Sequence, residues 1–297
     1  MIYMNASPLD GSLIFTISFF MTAASFIGYL IYAFSGNKWA ARTSFSILTG
    51  IFILQTVAFI IRWRYTYSIG IHTPPLTDLY DSLVFFAYII IFGFILLRVF
   101  YNFDAMGFII TAIAGAALAF ASFSPIAPSL VEPTIPALRS YWLLYHIVTL
   151  FIAYGAFAAS FGLGILFLLK FRKENKPSKN SKKETGFLSL IPHSSIIDEV
   201  IYKVIVFGFL FLTAGVIIGA AWANNAWGGY WSWDPKETFS LITWLTYALF
   251  IHARITKGWS AKRMAWIAVA GFIVVIFCYL GVDLVIPGLH SYATPAL

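Results

Sequence analysis

One cysteine stands among the 297 residues, Cys278, and it falls inside the last long apolar run. No internal disulfide can form, and the chain brings no thiol pair of its own; Cys278 reads as an inert packing residue. Charge is nearly as scarce. Asp, Glu, Lys and Arg make up 10% of the sequence, against 60% hydrophobic residues and a mean hydropathy of +0.85. Such usage excludes an ordinary soluble domain. The formal net charge of +7 would suggest nucleic acid in a soluble protein, but in a chain this apolar it is better explained by orientation in a membrane. No nucleic-acid partner is expected, and no convincing internal repeat is present.

What the chain has in quantity is apolar runs of roughly 20 residues, the length that crosses a bilayer. They predict an all-α, polytopic integral membrane protein with about eight transmembrane helices, near 13–34, 43–63, 79–99, 104–124, 142–169, 203–224, 238–254 and 264–286. The first run is too long for a signal-peptide core and lacks both a basic flank and a clear cleavage site, so it is expected to remain as a helix. One membrane domain, 1–297, is expected. It comprises five helices within 1–170, a basic linker at 171–202, and three helices within 203–297 that carry a tryptophan-rich loop at 224–238.

Alternating helices put the loops 35–42, 98–103, 170–203 and 254–263 on one side, and all basic residues but Arg62, Arg64, Arg139 and Lys236 lie in them. Positive residues stay inside, which predicts both termini on the extracytoplasmic side and an active site there too. The linker's basic run can also attract anionic lipid headgroups. His193, beside Pro192, reads as a loop histidine without a ligand role. On the outer side Pro74 and Pro75 stop any helix, and Thr77 or Asp78 can cap the next one, with Asp78 and Asp81 suited to its positive end. The stretch 125–141 holds four prolines and should form an extended cover.

The segment Trp227–Thr238, WGGYWSWDPKET, is too unusual for a plain connector. Trp227, Tyr230, Trp231 and Trp233 offer flat apolar faces, each with one polar donor. Gly228 and Gly229 allow backbone to come close to a bulky ligand. Asp234 before Pro235 can cap the following helix, with Glu237 completing a capping box. An interfacial aromatic belt would explain scattered aromatics, but not three tryptophans clustered with a Gly-Gly.

Five histidines complete the inventory. His146, near the outer end of the fifth helix, and His290, after the Pro287-Gly288 turn, are both expected on the face that carries the loop. A flat, apolar ligand that needs axial imidazoles describes haem; zinc fits poorly, because no Cys/His/Asp cluster with ligand spacing lies on that face. His252 is expected deep on the cytoplasmic side. It can ligate a second haem or bond a carbonyl or water at the membrane boundary. His72 is expected outside, available to either site or to neither.

WGGYWSWDPKET, with LITWLTYALFIHAR and GLHSY downstream, and HTPPLTDLYDSLVF and SYWLLYHIVTLFIAYGAF upstream, closely resembles the tryptophan-rich signature of the CcsA/ResC family. These are cytochrome c synthase subunits of bacteria and chloroplasts, related to the haem-handling CcmC and CcmF proteins. One departure is Asp283, where the family pattern leads one to expect Asn. The resemblance implies that His146 and His290 are axial ligands of an external haem b, cradled by Trp227, Gly228, Tyr230, Trp231, Trp233 and Asp234. It implies that His252 ligates haem at an intramembrane site, with His72 or a partner's histidine as second ligand. It further implies thioether attachment of haem to a CxxCH apocytochrome c, a CcsB/ResB-type membrane partner, and residence in a bacterial cytoplasmic or a thylakoid membrane. A haem exporter or carrier without ligation activity is the alternative, and a b-type electron-transfer subunit a more distant one.

Overall fold

The structure is a computed structural model that describes residues 10–131, 138–175, 186–286 and 288. Among these residues it is all-helical. The helices are α1 (Ser12–Ser35), α2 (Lys38–Ser68), α3 (Leu79–Tyr101), α4 (Gly107–Phe123, entered through a 3-10 turn at Asp104–Met106), α5 (Tyr141–Glu174), α6 (Ser194–Trp227), α7 (Pro235–Ile255) and α8 (Ala261–Val285). All but α7 are long and apolar enough to cross a membrane. α7 has 21 residues, but Lys236, Glu237 and several Ser, Thr, Trp and Tyr residues dilute its hydropathy. Thus seven candidate spans stand where eight were expected.

Helix ends follow local chemistry. Asn37 caps α2 through its side chain, which accepts the Trp39 N–H, and Asp78 caps α3 by accepting from Asp81 N at 2.7 Å. Ser140 does the same for α5, and Asp234 and Glu237 form the expected capping box at α7. The basic linker is shorter than its composition suggested, because α5 runs on to Glu174 and α6 starts at Ser194. His193 explains the early start: its ring Nδ1 accepts the Ser195 N–H, and its Nε2 lies 3.6 Å from Glu174. Behind it, Ile197, Val200 and Ile201 are buried and hold the first turns of α6 down. Part of the linker (176–185) and of the proline-rich stretch (132–137) lies outside the described residues.

α5 is the hub. Two-thirds of its most apolar window is buried, and α3, α4, α6 and α8 all pack on it. Its GAFAASFGLG run lets those neighbours approach closely, as small residues do between helices in lipid. α1 to α4 form a bundle that a buried ion-pair network closes at the end carrying the α2–α3 connection. Arg62 is fully buried; it pairs with Asp81 and with Asp10 at 3.5 Å, donates to the Ser129 carbonyl at 3.0 Å, and lies 4.9 Å over the Tyr80 ring. That network fixes the start of α3, and so the position of Asp78 at its cap.

Candidate functional site

A cleft with a volume of about 150 Å³ opens where α3, α5, α6, α7 and α8 converge. His146 of α5 forms one wall. Its Nδ1 is 2.8 Å from the Gly215 carbonyl of α6, and since a carbonyl can only accept, Nδ1 carries the proton and Nε2 the lone pair. One turn further along α6, a Cβ at Gly219 would stand 2.5 Å from Cε1 and Nδ1 of the ring. One turn further still, Trp222 lies nearly parallel to the imidazole, 12° off, with centroids 6.3 Å apart. Three residues on one face of α6 thus set the tautomer, seat and tilt of one imidazole.

The floor is aromatic. Tyr279 of α8 packs against Phe86, Phe151 and Tyr154, and its hydroxyl shares a 2.9 Å hydrogen bond with Ser82. Here α8 is not a regular α-helix: Phe277–Gly281 form a π-turn, a feature that often marks functional sites. On the α7 side the ammonium of Lys236 donates to the Tyr279 carbonyl at 3.2 Å and pairs with Asp283. Asp78 and Leu76 close the opposite edge. Desolvation pushes the Asp78 carboxyl above the usual aspartate range, against the pull of Arg62.

The tryptophan segment divides by role. Trp227 is the last residue of α6 and packs behind the cleft, edge-on to Trp222 at 5.5 Å, beside Leu138 and Leu143. Its Nε1–H is buried and has no hydrogen-bond partner among the described residues. Gly228 is the left-handed residue that ends α6, at φ 81°, with its N–H on Asn224 O. Its freedom serves a helix stop; Cβ atoms at Gly228 and Gly229 would meet open space. Tyr230 and Trp231 line the cleft. Trp233 stands edge-on to Trp231 at 5.9 Å, is 68% exposed, and holds a left-handed φ of 61°, which is costly for a side chain of its size. Asp234 is buried as the cap of α7.

Of the candidate ligands, the structure brings His146, Tyr230 and Trp231 together and sets Trp227, Gly228, Trp233 and Asp234 around them. His290 lies outside the described residues; Gly288, two residues earlier in the sequence, lies against the Asp234 side chain. His72 is exposed, its ring 4.5 Å from that of Tyr67, and does not line the cleft. His252 is exposed on α7, sixteen residues beyond Lys236, which is about 24 Å of helical rise. Thr256 Oγ1 is 3.4 Å from its Nδ1. Sequence reasoning missed Gly215, Gly219, Trp222 and the partnership of Lys236 with Asp283. Only spatial proximity reveals them, apart from the oddity of an acid at 283.

Among the described residues no three His, Cys, Asp or Glu side chains converge to hold a metal ion. A ligand that brings its own equatorial donors and asks only for axial ones suits the one prepared imidazole better than a bare cation does.

The family model for Cytochrome C assembly protein matches residues 76–290. Similar proteins include the cytochrome c biogenesis protein CcsA of Chlamydomonas reinhardtii, 40% identical over 245 residues, which span 81% of this chain and 65% of that protein. CcsA of Guillardia theta is 41% identical over 231 residues (73% of this chain, 76% of its own). CcsA of Synechococcus sp. (strain CC9902) is 37% identical over 257 residues (81% and 83%). Among solved structures, a cytochrome c haem lyase CcmF superposes with a TM-score of 0.65 at 16% identity, covering 94% of this chain and 48% of that one. At that identity the likeness is one of fold.

Proposed function

The chain belongs to the cytochrome c assembly protein family, and from that premise we propose that it holds haem b at the cleft beside His146 and presents it for thioether attachment to a CxxCH apocytochrome c. The observation that carries this reading is the preparation of His146, whose Nε2 lone pair is fixed by the Gly215 carbonyl on the wall of an aromatic cleft. Nothing in simple packing requires an imidazole to be seated by three successive turns of a neighbouring helix. His290 is the second axial ligand in this reading. The approach of Gly288 to Asp234 supports it.

The enclosed volume bears on how the ligand sits. About 150 Å³ is the room in which an engineered cavity holds benzene, whereas sites for larger ligands run to about 300–1,000 Å³. The cleft would therefore admit one edge of a macrocycle, beside the exposed side chains of Tyr230 and Trp233. An exposed edge is what attachment needs. The thiol S–H adds across a vinyl C=C, sulfur bonding one carbon and the proton the other, with no net electron transfer. The chain's contribution would be position: His146 and His290 would hold the macrocycle while the thiols of the apocytochrome approach its exposed edge.

The remaining assignments belong to the same proposal. α7 is an eighth crossing, both termini and the cleft face the extracytoplasmic side, and a CcsB/ResB-type subunit is the membrane partner. The exposed face of α7 around His252 is then an inner haem station that such a partner completes. The deciding experiment is co-expression of this chain and its partner with a CxxCH reporter, in a host lacking its own maturation system. Covalent haem on the reporter supports the synthase. Haem bound to the chain with none attached to the reporter favours a carrier.

A further inference from the structure

The cleft contains one group that neither iron ligation nor aromatic stacking uses. Lys236 is the one lysine or arginine among the described residues that line it. An ammonium carries three N–H donors. The Tyr279 carbonyl and the Asp283 carboxylate take two of them, and the side chain still retains 25% of its exposure. The carbonyl is offered by the π-turn of α8 and the carboxylate by the turn after it. Two successive turns of α8 therefore hold a cation of α7 in place at the edge of an apolar cleft.

The neighbouring acids do not saturate it. Glu237 is consumed by the loop, accepting from Ser232 N at 2.7 Å, Ser232 Oγ at 3.1 Å and Asp234 N at 3.3 Å. Asp234 accepts the Lys236 backbone N–H at 3.1 Å as the helix cap, and Asp78 accepts from Asp81 N. Asp283, 7% exposed, neutralises Lys236 well enough to make the ammonium tolerable in a mostly apolar setting. We infer that Lys236 is the receptor for a carboxylate of the bound macrocycle, held by Asp283 and the Tyr279 carbonyl with its third N–H directed to the ligand. This rests on the haem reading above and adds a direction to it: one propionate is drawn to the α7–α8 edge, which fixes the in-plane rotation of the ring and so which edge carries the vinyl groups outward.

The test uses the full chain in detergent, titrated with iron protoporphyrin IX and with its dimethyl ester, which has the same ring and iron but no free carboxylate. Absorbance reports binding of each. The unmodified chain is expected to bind the diacid about tenfold more tightly than the diester, close to the lower end of what a hydrogen bond to a charged group contributes. Lys236→Gln should remove that preference while leaving diester affinity within about twofold, and Lys236→Arg should retain most of it. Equal binding of diacid and diester by the unmodified chain overturns the inference without any variant having to fold. So does a Lys236→Gln protein that weakens both ligands alike, since the lysine is then a structural prop. If neither ligand binds the unmodified chain, the haem reading fails and takes the inference with it, an outcome distinct from lost selectivity.

Discussion

The imidazole of His146 occupies the space that any side chain at position 219 would need, since a Cβ on Gly219 would stand 2.5 Å from Nδ1. The contact joins the C-terminal third of α6 to the N-terminal part of α5, and it makes a helical glycine a condition of the site.

Gly219→Ala should therefore damage the site without damaging the helix. Alanine is the better helix former by about 1 kcal/mol, so α6 itself gains. The imidazole must turn away from Gly215 and Trp222. Bound haem in the purified protein is expected to fall about tenfold in affinity, the lower end of what a lost outer-shell contact costs a metal ligand. Thermal unfolding should stay within a few degrees of the unmodified chain. Unchanged haem binding would mean that His146 is not held for ligation.

Trp227 and Trp231 should separate cleanly. Trp227→Phe removes a buried indole N–H that has no partner among the described residues, so stability should hold or rise by up to about 1 kcal/mol, with haem binding intact. Trp231→Leu removes a flat face from the cleft and should lower haem occupancy with little change in melting temperature. Occupancy by absorbance and stability by thermal melting, measured on both variants, distinguish the two roles. If both variants fall together in both measurements, the segment is a single packing unit.

Arg62→Met should be the most destabilising of these changes. It strands the Asp10 and Asp81 carboxylates inside the protein, and breaking a buried pair typically costs about 3–5 kcal/mol. Low accumulation and a depressed melting temperature are expected, partly rescued by Asp81→Asn, which removes one stranded charge. An Arg62→Met protein with normal stability would show that the network contributes nothing to holding the start of α3.

His146→Ala and His252→Ala should both stop cytochrome c maturation but leave different residues of haem. With His146→Ala, haem at the inner station persists and remains visible by absorbance. With His252→Ala the supply fails, and total haem drops although the cleft is intact. Full haem in the cleft of His252→Ala would show entry by another route.

Much of this was legible from local chemistry. Capping of α7 by Asp234 and Glu237, the Pro235 start and the burial of Cys278 depend on neighbours in sequence, and the structure agrees. The apolar runs located every helix, but polar turns extend three of them beyond the runs: α2 begins at Lys38, where Asn37 caps it, and continues to Ser68, α5 continues to Glu174, and α6 begins at Ser194, where His193 caps it. What composition could not do was divide the tryptophans. WGGYW reads as one loop until α6 is seen to continue through Trp227, which turns that indole back against Trp222. Nor could it pair Lys236 with Asp283 across 47 positions, or find the seat for His146 on α6, since both arise from helix packing.

The π-turn in α8 carries a consequence for how this chain tolerates change in length. A π-turn holds one residue more than the regular turn it interrupts, and each residue advances an α-helix by about 100°. Deleting a single residue from Phe277–Gly281 would let α8 close into a continuous α-helix, leaving the first part, with Met264, Ala268 and Phe272, on its buried face. The π-turn takes up its extra residue, so everything after it would keep the face it now presents, with Asp283 still beside Lys236. A residue lost from the regular turns between Met264 and Phe272 meets no such slack. The rest of α8 would swing by about 100°, and Asp283 would leave Lys236. A one-codon loss is thus absorbed in one stretch of α8 and dismantles the α7–α8 edge of the cleft in another, although neither stretch holds a proposed iron ligand.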